Sequence, residues 1–329
     1  MRGKSRISAG LLLAGWALAG RPMRAESRPV HTYSIVARDS QTGQLGVAVQ
    51  SHWFSVGSVV PWAEAGVGAV ATQSFVDPSY GHLGLQLMRA GRSAPHALKG
   101  LLAADSNREV RQVAMIDAQG HVAAHTGTKN IQAAGHKVGK DYSVQANLMT
   151  NDRVWPEMSK AFEEAKGDLA ERMLAALDAA QAAGGDIRGR QSAALIVVAP
   201  KSSGRSWEDR IFDLRVEDSP EPLVELRRLV KLQRAYNHMN AGDLAVEHHD
   251  KEGGLREYSA AEALVPDNAE MLFWHAVALV NMGNVNASLP LFRRAFAIDA
   301  NWRTLTPRLP KAGLLPEDPK ILEKILEKR

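Results

Sequence analysis

Strands and helices come in separate blocks along the first 219 residues, and this order constrains the fold more than any other feature. Runs of apolar residues bounded by Gly, Asp or Pro predict strands at 32–38, 45–51 and 66–72. Two helices, at 79–90 and 94–104, are predicted to follow them, and then a hairpin at 110–117 and 121–125 and a strand at 142–146. A second pair of helices, at 152–166 and 168–183, precedes two final strands at 191–199 and 210–217. Blocks of strands separated by pairs of helices favour an α+β fold with layered sheets over alternating βαβ units.

The sequence after residue 219 has helical periodicity almost throughout. Residues 268–301 form a 34-residue unit in which large and small apolar residues occupy the positions that two packed helices require. This unit resembles a tetratricopeptide repeat, and residues 235–266 resemble a degenerate copy with about seven extra residues around 248–254. The segment 318–329 is predicted to be a cap helix. Because about three repeats are needed for independent stability, we expect the all-α region 220–329 to pack on the first domain or on a protein partner.

Residues 1–25 have the three parts of a signal peptide: a basic start, an apolar run at 7–20 and a polar end. Cleavage after Ala25 is expected, although a cut at 17–19 suits the residue sizes better and an uncleaved anchor is the alternative. The apolar run is too short for a transmembrane helix, and no later stretch reaches about 18 apolar residues. We therefore predict export, to the periplasm or outside the cell, with 26–31 as a linker or propeptide.

Charge and cysteine content exclude several classes of function. Residues 1–25 hold five basic residues and no acidic ones, so the remaining chain has 35 basic and 36 acidic residues and offers no excess charge to a nucleic acid. The absence of cysteine excludes thiol catalysis, disulfides and cysteine-ligated metals. The pair His248-His249 has metal-ligand chemistry but lies in the predicted insertion, and His121 and His125 lack a third ligand. We expect no metal and no other cofactor.

Seven segments together resemble a bacterial family catalogued as domain of unknown function 1028. They are TYSIVARD (32–39), LGVAVQS (45–51), VPWAEAGVGAVATQS (60–74), DPSYG (77–81), AHTG (124–127), YSVQANLM (142–149) and GGDIRGRQSAALIVV (184–198). The resemblance covers roughly residues 31–235. It implies that 32–219 form a four-layer αββα sandwich similar to the N-terminal-nucleophile hydrolases, followed by the tetratricopeptide-like region.

The resemblance implies a catalytic role for Thr32. In such hydrolases the threonine hydroxyl attacks a carbonyl, and its own α-amine takes the proton; an α-amine suits neutral pH because its pKa is about 7.7–8.0. Here His31 precedes Thr32 and does not suit signal peptidase, so autocleavage or trimming would have to free the amine. Ser34 is expected to assist proton transfer and Asn147 to donate to an oxyanion. The alternatives are an ordinary strand residue, a buried serine and a turn residue, respectively.

Five further polar residues are candidates for substrate binding. Ser51 ends the second strand and Gln73 follows an apolar strand, so both are expected near the same end of the sheets. Asp186, Arg188 and Arg190 lie in a loop before a buried strand, where an Asp–Arg pair suits a substrate carboxylate or tunes the pKa of the amine. A structural ion pair that fixes the loop is the alternative.

Two hypotheses for function follow. The first is an exported amidohydrolase that cleaves a small or peptide-like amide through an acyl-threonine intermediate, with the helical repeats recruiting a protein partner. The second is a binding or scaffold protein that keeps the sandwich and has no catalysis. Self-association is expected under either hypothesis, and no membrane span is expected once the signal peptide is removed.

Overall fold

The computed structural model describes residues 30–327 as a mixed α/β structure. The predicted signal peptide and residues 26–29 lie outside this range. The strands of the described range are β1 (Thr32–Arg38), β2 (Leu45–Ser51), β3 (Pro61–Glu64), β4 (Gly68–Ser74), β5 (Arg111–Asp117), β6 (Val122–Thr126), β7 (Gly135–Gly139), β8 (Tyr142–Ala146), β9 (Ser192–Val198) and β10 (Arg210–Val216). Its α-helices are α1 (Ser79–Arg89), α2 (Ala94–Ala104), α3 (Val154–Glu164), α4 (Leu169–Ala182), α5 (Pro222–Glu247), α6 (Lys251–Leu264), α7 (Ala269–Asn281), α8 (Val285–Ile298), α9 (Asn301–Leu305) and α10 (Pro319–Leu326).

The strands form two antiparallel sheets. One has six strands in the order β10-β9-β2-β1-β8-β7, and the other has four in the order β3-β4-β5-β6. Strand β1 lies in the middle of the larger sheet, where Thr32 is opposite Ser51 on β2. The bounds predicted for β1, β2 and β8 are confirmed. Strand β4 begins two residues after the predicted start, and β3 and β7 were not predicted.

Alternation along β1 decides which side chains enter each layer. Tyr33 and Ile35 pack with α3 and α4 on the outer face of the six-stranded sheet, whereas Val36 packs in a core of Val, Ile and Ala between the two sheets. The outer face of the four-stranded sheet is covered by α1 and α2. Thr32 and Ser34 share the face of Val36 and therefore point into the layer between the sheets. The coarse prediction, an α+β fold of layered antiparallel sheets followed by a helical region, is confirmed.

The helical region begins with α5, a helix of 26 residues that packs on the first part of the chain. Arg234 on α5 forms ion pairs with Asp168 and Glu171, which lie at the start of α4. Residues 248–250 form a short turn, and 251–254 belong to the first turn of α6, capped by the Asp250 side chain. The prediction of an insertion at 248–254 is therefore wrong: α6 and α8 each have 14 residues, and each follows a three-residue connection, 248–250 and 282–284. Among residues 30–327, no helix has both the length and the apolar character of a membrane span.

Candidate functional site

The hydroxyl of Thr32 lies at the start of β1 and is fully buried. Its Oγ1 is 2.9 Å from the carbonyl oxygen of Val30, to which it donates, and 3.3 Å from Oγ of Ser51. The register that places Ser51 opposite Thr32 brings these two hydroxyls together, because directly opposed residues share one face of an antiparallel pair. Thr32 is linked to His31 by a peptide bond, so its nitrogen is an amide in the described chain.

The carbonyl oxygen of His31 accepts two hydrogen bonds. One comes from the Ser51 hydroxyl and the other from Nη2 of Arg188, at 2.8 Å. Arg188 is held by Asp186 through two bonds, from Nε to Oδ1 at 3.0 Å and from Nη2 to Oδ2 at 2.7 Å. The Asp186 side chain is fully buried and also accepts the backbone N–H of His52. A hydroxyl and a fixed guanidinium therefore polarise the carbonyl of the peptide bond that precedes Thr32.

The imidazole of His31 is 3% exposed, and its Nδ1 lies 2.8 Å from Oδ1 of Asn147. Because Nδ2 of Asn147 donates to Oε1 of Gln112, the amide is oriented with its oxygen towards His31, and Nδ1 carries the proton. Burial lowers the pKa of His31, and the positive charge of Arg188 acts in the same direction, against the bond to Asn147 and the charge of Asp186. The ring is therefore kept neutral.

A network of buried amides lies behind Thr32, between the two sheets. Nε2 of Gln73 donates to Oε1 of Gln112 at 2.6 Å and to the carbonyl oxygen of Thr32 at 3.2 Å. Oε1 of Gln73 accepts the Ser34 hydroxyl at 2.6 Å, and Ser34 accepts in turn from Nε2 of Gln145. Ser34 and Gln73 are thus bonded to their neighbours in the network, which fixes the start of β1 against β4 and β5.

A cavity of about 600 Å³ lies in front of His31. His52, Trp53, Phe54 and Leu148 form much of its wall, together with Arg188 and Gln191. Thr32 does not line this cavity, whereas the residue before it, His31, does. The cavity combines aromatic walls with one cationic side chain, a combination common in sites for small organic molecules.

Five of the predicted site residues meet around His31, and the rest do not. Those five are Thr32, Ser51, Asn147, Asp186 and Arg188. Ser34 and Gln73 lie in the amide network instead. Arg190 lies apart from the group, because its guanidinium forms an ion pair with Glu221 just before α5.

Sequence reasoning did not select His31, His52 or Gln112 as site residues. Only Gln112 had a signal, since it is a polar residue in an apolar strand, as Gln73 is. The two glutamines are directly opposed in the β4–β5 register. As for metals, no group of three or more His, Asp or Glu side chains within the described residues is arranged to hold an ion.

The fold and the site define a class of protein with two layered antiparallel sheets and a buried hydroxyl-and-amide cluster at the start of the central strand. A family model described as a family of unknown function, DUF1028, matches residues 32–226. The chain therefore belongs to the DUF1028 family. It is similar to the crystal structure of protein SPO2555 from Silicibacter pomeroyi, which carries the same family label, with 29% identity and a TM-score of 0.55 over 61% of this chain and 88% of that one. No curated protein matches the chain.

Proposed function

We propose that this protein is an exported amidohydrolase of the N-terminal-nucleophile type, in which cleavage of the His31–Thr32 bond frees Thr32. The observation that carries the proposal is the environment of the His31 carbonyl. Its oxygen accepts from Ser51 and Arg188, while Oγ1 of Thr32 belongs to the residue on the other side of the same bond. The layering of two sheets between helix pairs supports the likeness to this class of hydrolase.

Cleavage of the His31–Thr32 bond needs water and no cofactor. Oγ1 of Thr32 adds to the His31 carbonyl carbon, and the charge that develops on the carbonyl oxygen is stabilised by Ser51 and Arg188. The hydroxyl proton passes to the Thr32 nitrogen as the C–N bond breaks, which leaves an ester between His31 and Thr32. Water then hydrolyses the ester, giving a chain that ends in a His31 carboxylate and a chain that begins with a Thr32 amine. Trimming by another protease would give the same new terminus.

The same groups suit turnover of a substrate once His31 has left. The free amine of Thr32 would act as the base and Oγ1 as the nucleophile, attacking an amide bound in the cavity lined by Trp53 and Phe54. Ser51 and Arg188 already hold a carbonyl oxygen at this position, so we assign them the oxyanion role in place of Asn147. We assign Asn147 a positioning role, because its Nδ2 donates to Gln112 and its backbone N–H donates to the Thr32 carbonyl.

The test measures the N-terminus of the full chain purified from the exported fraction of a bacterial host. We expect denaturing mass spectrometry and N-terminal sequencing to find chains that begin at Thr32. Thr32→Val should abolish self-cleavage, and Ser51→Ala should slow it about hundredfold, the usual cost of one oxyanion donor. Ser192→Ala is the matched control, because Ser192 is a buried serine directly opposite Ser51 that bonds to Trp53 instead of His31.

Cleaved protein is then assayed for release of aminomethylcoumarin from amides with aromatic acyl groups, chosen to suit Trp53 and Phe54. Hydrolysis by the wild type and none by Thr32→Val would support the enzyme. Mature protein that still carries His31 contradicts the mechanism.

A binding or scaffold protein is the second candidate, and one observation favours it. Val30 is fully buried between the sheets, and its backbone exchanges two hydrogen bonds with Ser74, at 2.6 and 2.9 Å. The segment before Thr32 is thus built into the fold. In this case the bond stays intact, Thr32→Val has no phenotype, and the helical region, which we propose to be tetratricopeptide-like, binds the partner. Affinity capture with the wild type and with Thr32→Val should then recover the same partner.

A further inference from the structure

The helical region contains a cavity of about 450 Å³, which shares no lining residue with the cavity in front of His31. It lies among α5, α6 and α7. Leu314 also lines it, and the carbonyl oxygen of Leu314 accepts from Nδ2 of Asn281 at 3.1 Å. Small-molecule sites commonly have volumes of about 300–1,000 Å³, so this cavity is large enough for a ligand.

The walls of this cavity are mainly aromatic and aliphatic. Each of the three helices contributes one aromatic side chain: Tyr236 from α5, Tyr258 from α6 and Trp274 from α7. Met239 and Val277 add aliphatic surface. Electron-rich rings of this kind attract organic ammonium groups, with an energy of about 0.5–2 kcal/mol for each favourable contact.

Two carboxylates complete the cavity, and each is positioned by one of the tyrosines. The Tyr258 hydroxyl donates to Oδ1 of Asp243 at 2.7 Å, and the Tyr236 hydroxyl donates to Oε2 of Glu270. The bond to Glu270 is the main reason why the pKa of Tyr236 is raised to about 12, so this phenol remains a donor at neutral pH.

The negative charge of the cavity is not compensated by its own lining. No lysine, arginine or histidine lines it. Neither Asp243 nor Glu270 forms an ion pair with another described residue, and Oδ2 of Asp243 and Oε1 of Glu270 accept no hydrogen bond from one. A ligand with a positive charge would therefore find two acceptors that the protein leaves open.

We propose that this cavity binds a small organic cation, an ammonium group attached to a short apolar body. The ammonium lies near Asp243 and Glu270 and is attracted by the aromatic rings, while the apolar body contacts Met239 and Val277. Anions are disfavoured by the two carboxylates. A neutral apolar molecule gains the wall contacts and none of the electrostatic attraction. The inference does not depend on the hydrolase proposal, since the cavity shares no residue with the Thr32 site.

The test compares choline with its neutral isostere 3,3-dimethylbutan-1-ol by titration calorimetry on the full chain at low ionic strength. We expect choline to bind about tenfold more tightly or better than the isostere, because only choline carries the charge. Asp243→Asn and Glu270→Gln each keep an acceptor for the tyrosine and remove a charge. Each should weaken choline binding about three- to fivefold, and the double variant about tenfold.

Glu252→Gln is the matched control, because Glu252 is an exposed carboxylate on α6 that does not line the cavity. It should leave the affinity for choline unchanged. Equal affinity for choline and the alcohol overturns the proposal, as does an equal loss in Glu252→Gln and in the two cavity variants. A lysine-containing peptide that binds in the cavity far more tightly than choline would overturn the assignment to a small molecule.

Discussion

Two buried glutamines offer a sharp test of how the site at Thr32 is held together. Gln73 on β4 and Gln50 on β2 are both fully buried. Gln73 accepts from Ser34 and donates to Gln112 and to the Thr32 carbonyl. The side-chain nitrogen and oxygen of Gln50 have no hydrogen-bond partner among the described residues. We propose to replace each glutamine by methionine, which has nearly the same size and shape.

The expected magnitudes follow from the partners that each substitution leaves behind. Gln73→Met leaves the Ser34 hydroxyl and Oε1 of Gln112 each short of one bond, although Gln112 still accepts from Asn147. Leaving a buried polar group unpaired costs about 1–3 kcal/mol, so the loss should be about 2–4 kcal/mol. Gln50→Met leaves no other group without a hydrogen-bond partner, and it removes a buried amide whose desolvation is unfavourable. The free energy of unfolding of this variant should therefore equal that of the wild type or exceed it by up to about 2 kcal/mol.

Urea denaturation of the two variants and the wild type, followed by tryptophan fluorescence, measures both effects. The slope with denaturant should not change, so the shift of the midpoint reports the change in stability. Gln73→Met should also lower any activity at Thr32, because Gln73 holds the Thr32 carbonyl. If the two variants lose similar stability, the amide network does not stabilise the site and the reasoning is refuted.

Two other predictions concern pH and glycine. Burial lowers the pKa of His31 and of His275, so the unfolded chain binds protons more readily than the folded chain below pH 6.5. The contribution of these two histidines to stability should therefore be fully present above that pH. The free energy of unfolding, measured in urea titrations, should fall as the pH drops towards 5; a rise would contradict this sign. Gly81→Ala on α1 should cost about 2 kcal/mol or more, because its Cβ would lie 2.3 Å from an indole ring. Gly100→Ala on α2, where nothing lies within 4 Å, should instead raise the free energy of unfolding by about 0.5–1 kcal/mol, measured in the same urea titrations.

Much of the fold could be predicted from local pattern, but strand β7 could not. Strands β1, β2 and β9 are rich in Val, Ile, Leu and Ala, so their bounds could be predicted to within a residue. Strand β7 (GHKVG) contains two glycines and a lysine, and it becomes a strand because it pairs with β8 at the sheet edge. Because β8 follows β7 after a turn of two residues, 140–141, the signal for this pairing lies outside the five residues of β7 themselves.

Some residues of the site could be selected from the sequence, and others could not. Thr32 and Ser51 could be selected because they begin and end predicted strands. The role of His31 depends on contacts with Asn147 and Arg188, which are 116 and 157 residues away in the chain. No spacing rule connects residues at such separations, so the geometry around the His31 carbonyl required the structure.

The two candidate functions make opposite demands on Val30 and His31: the hydrolase needs this segment to leave after cleavage, and the scaffold protein needs it to stay. Burial of a valine contributes about 1.5–3 kcal/mol and each hydrogen bond about 1 kcal/mol, so Val30 and the imidazole of His31 together hold the segment by about 4–6 kcal/mol. While the chain is intact, this binding is intramolecular and keeps His31 in the wall of the cavity. After cleavage the same free energy corresponds to a dissociation constant of roughly tens of micromolar to a millimolar. At micromolar protein the severed segment would therefore leave, so the proposed cleavage of this single bond would be enough to free the Thr32 amine.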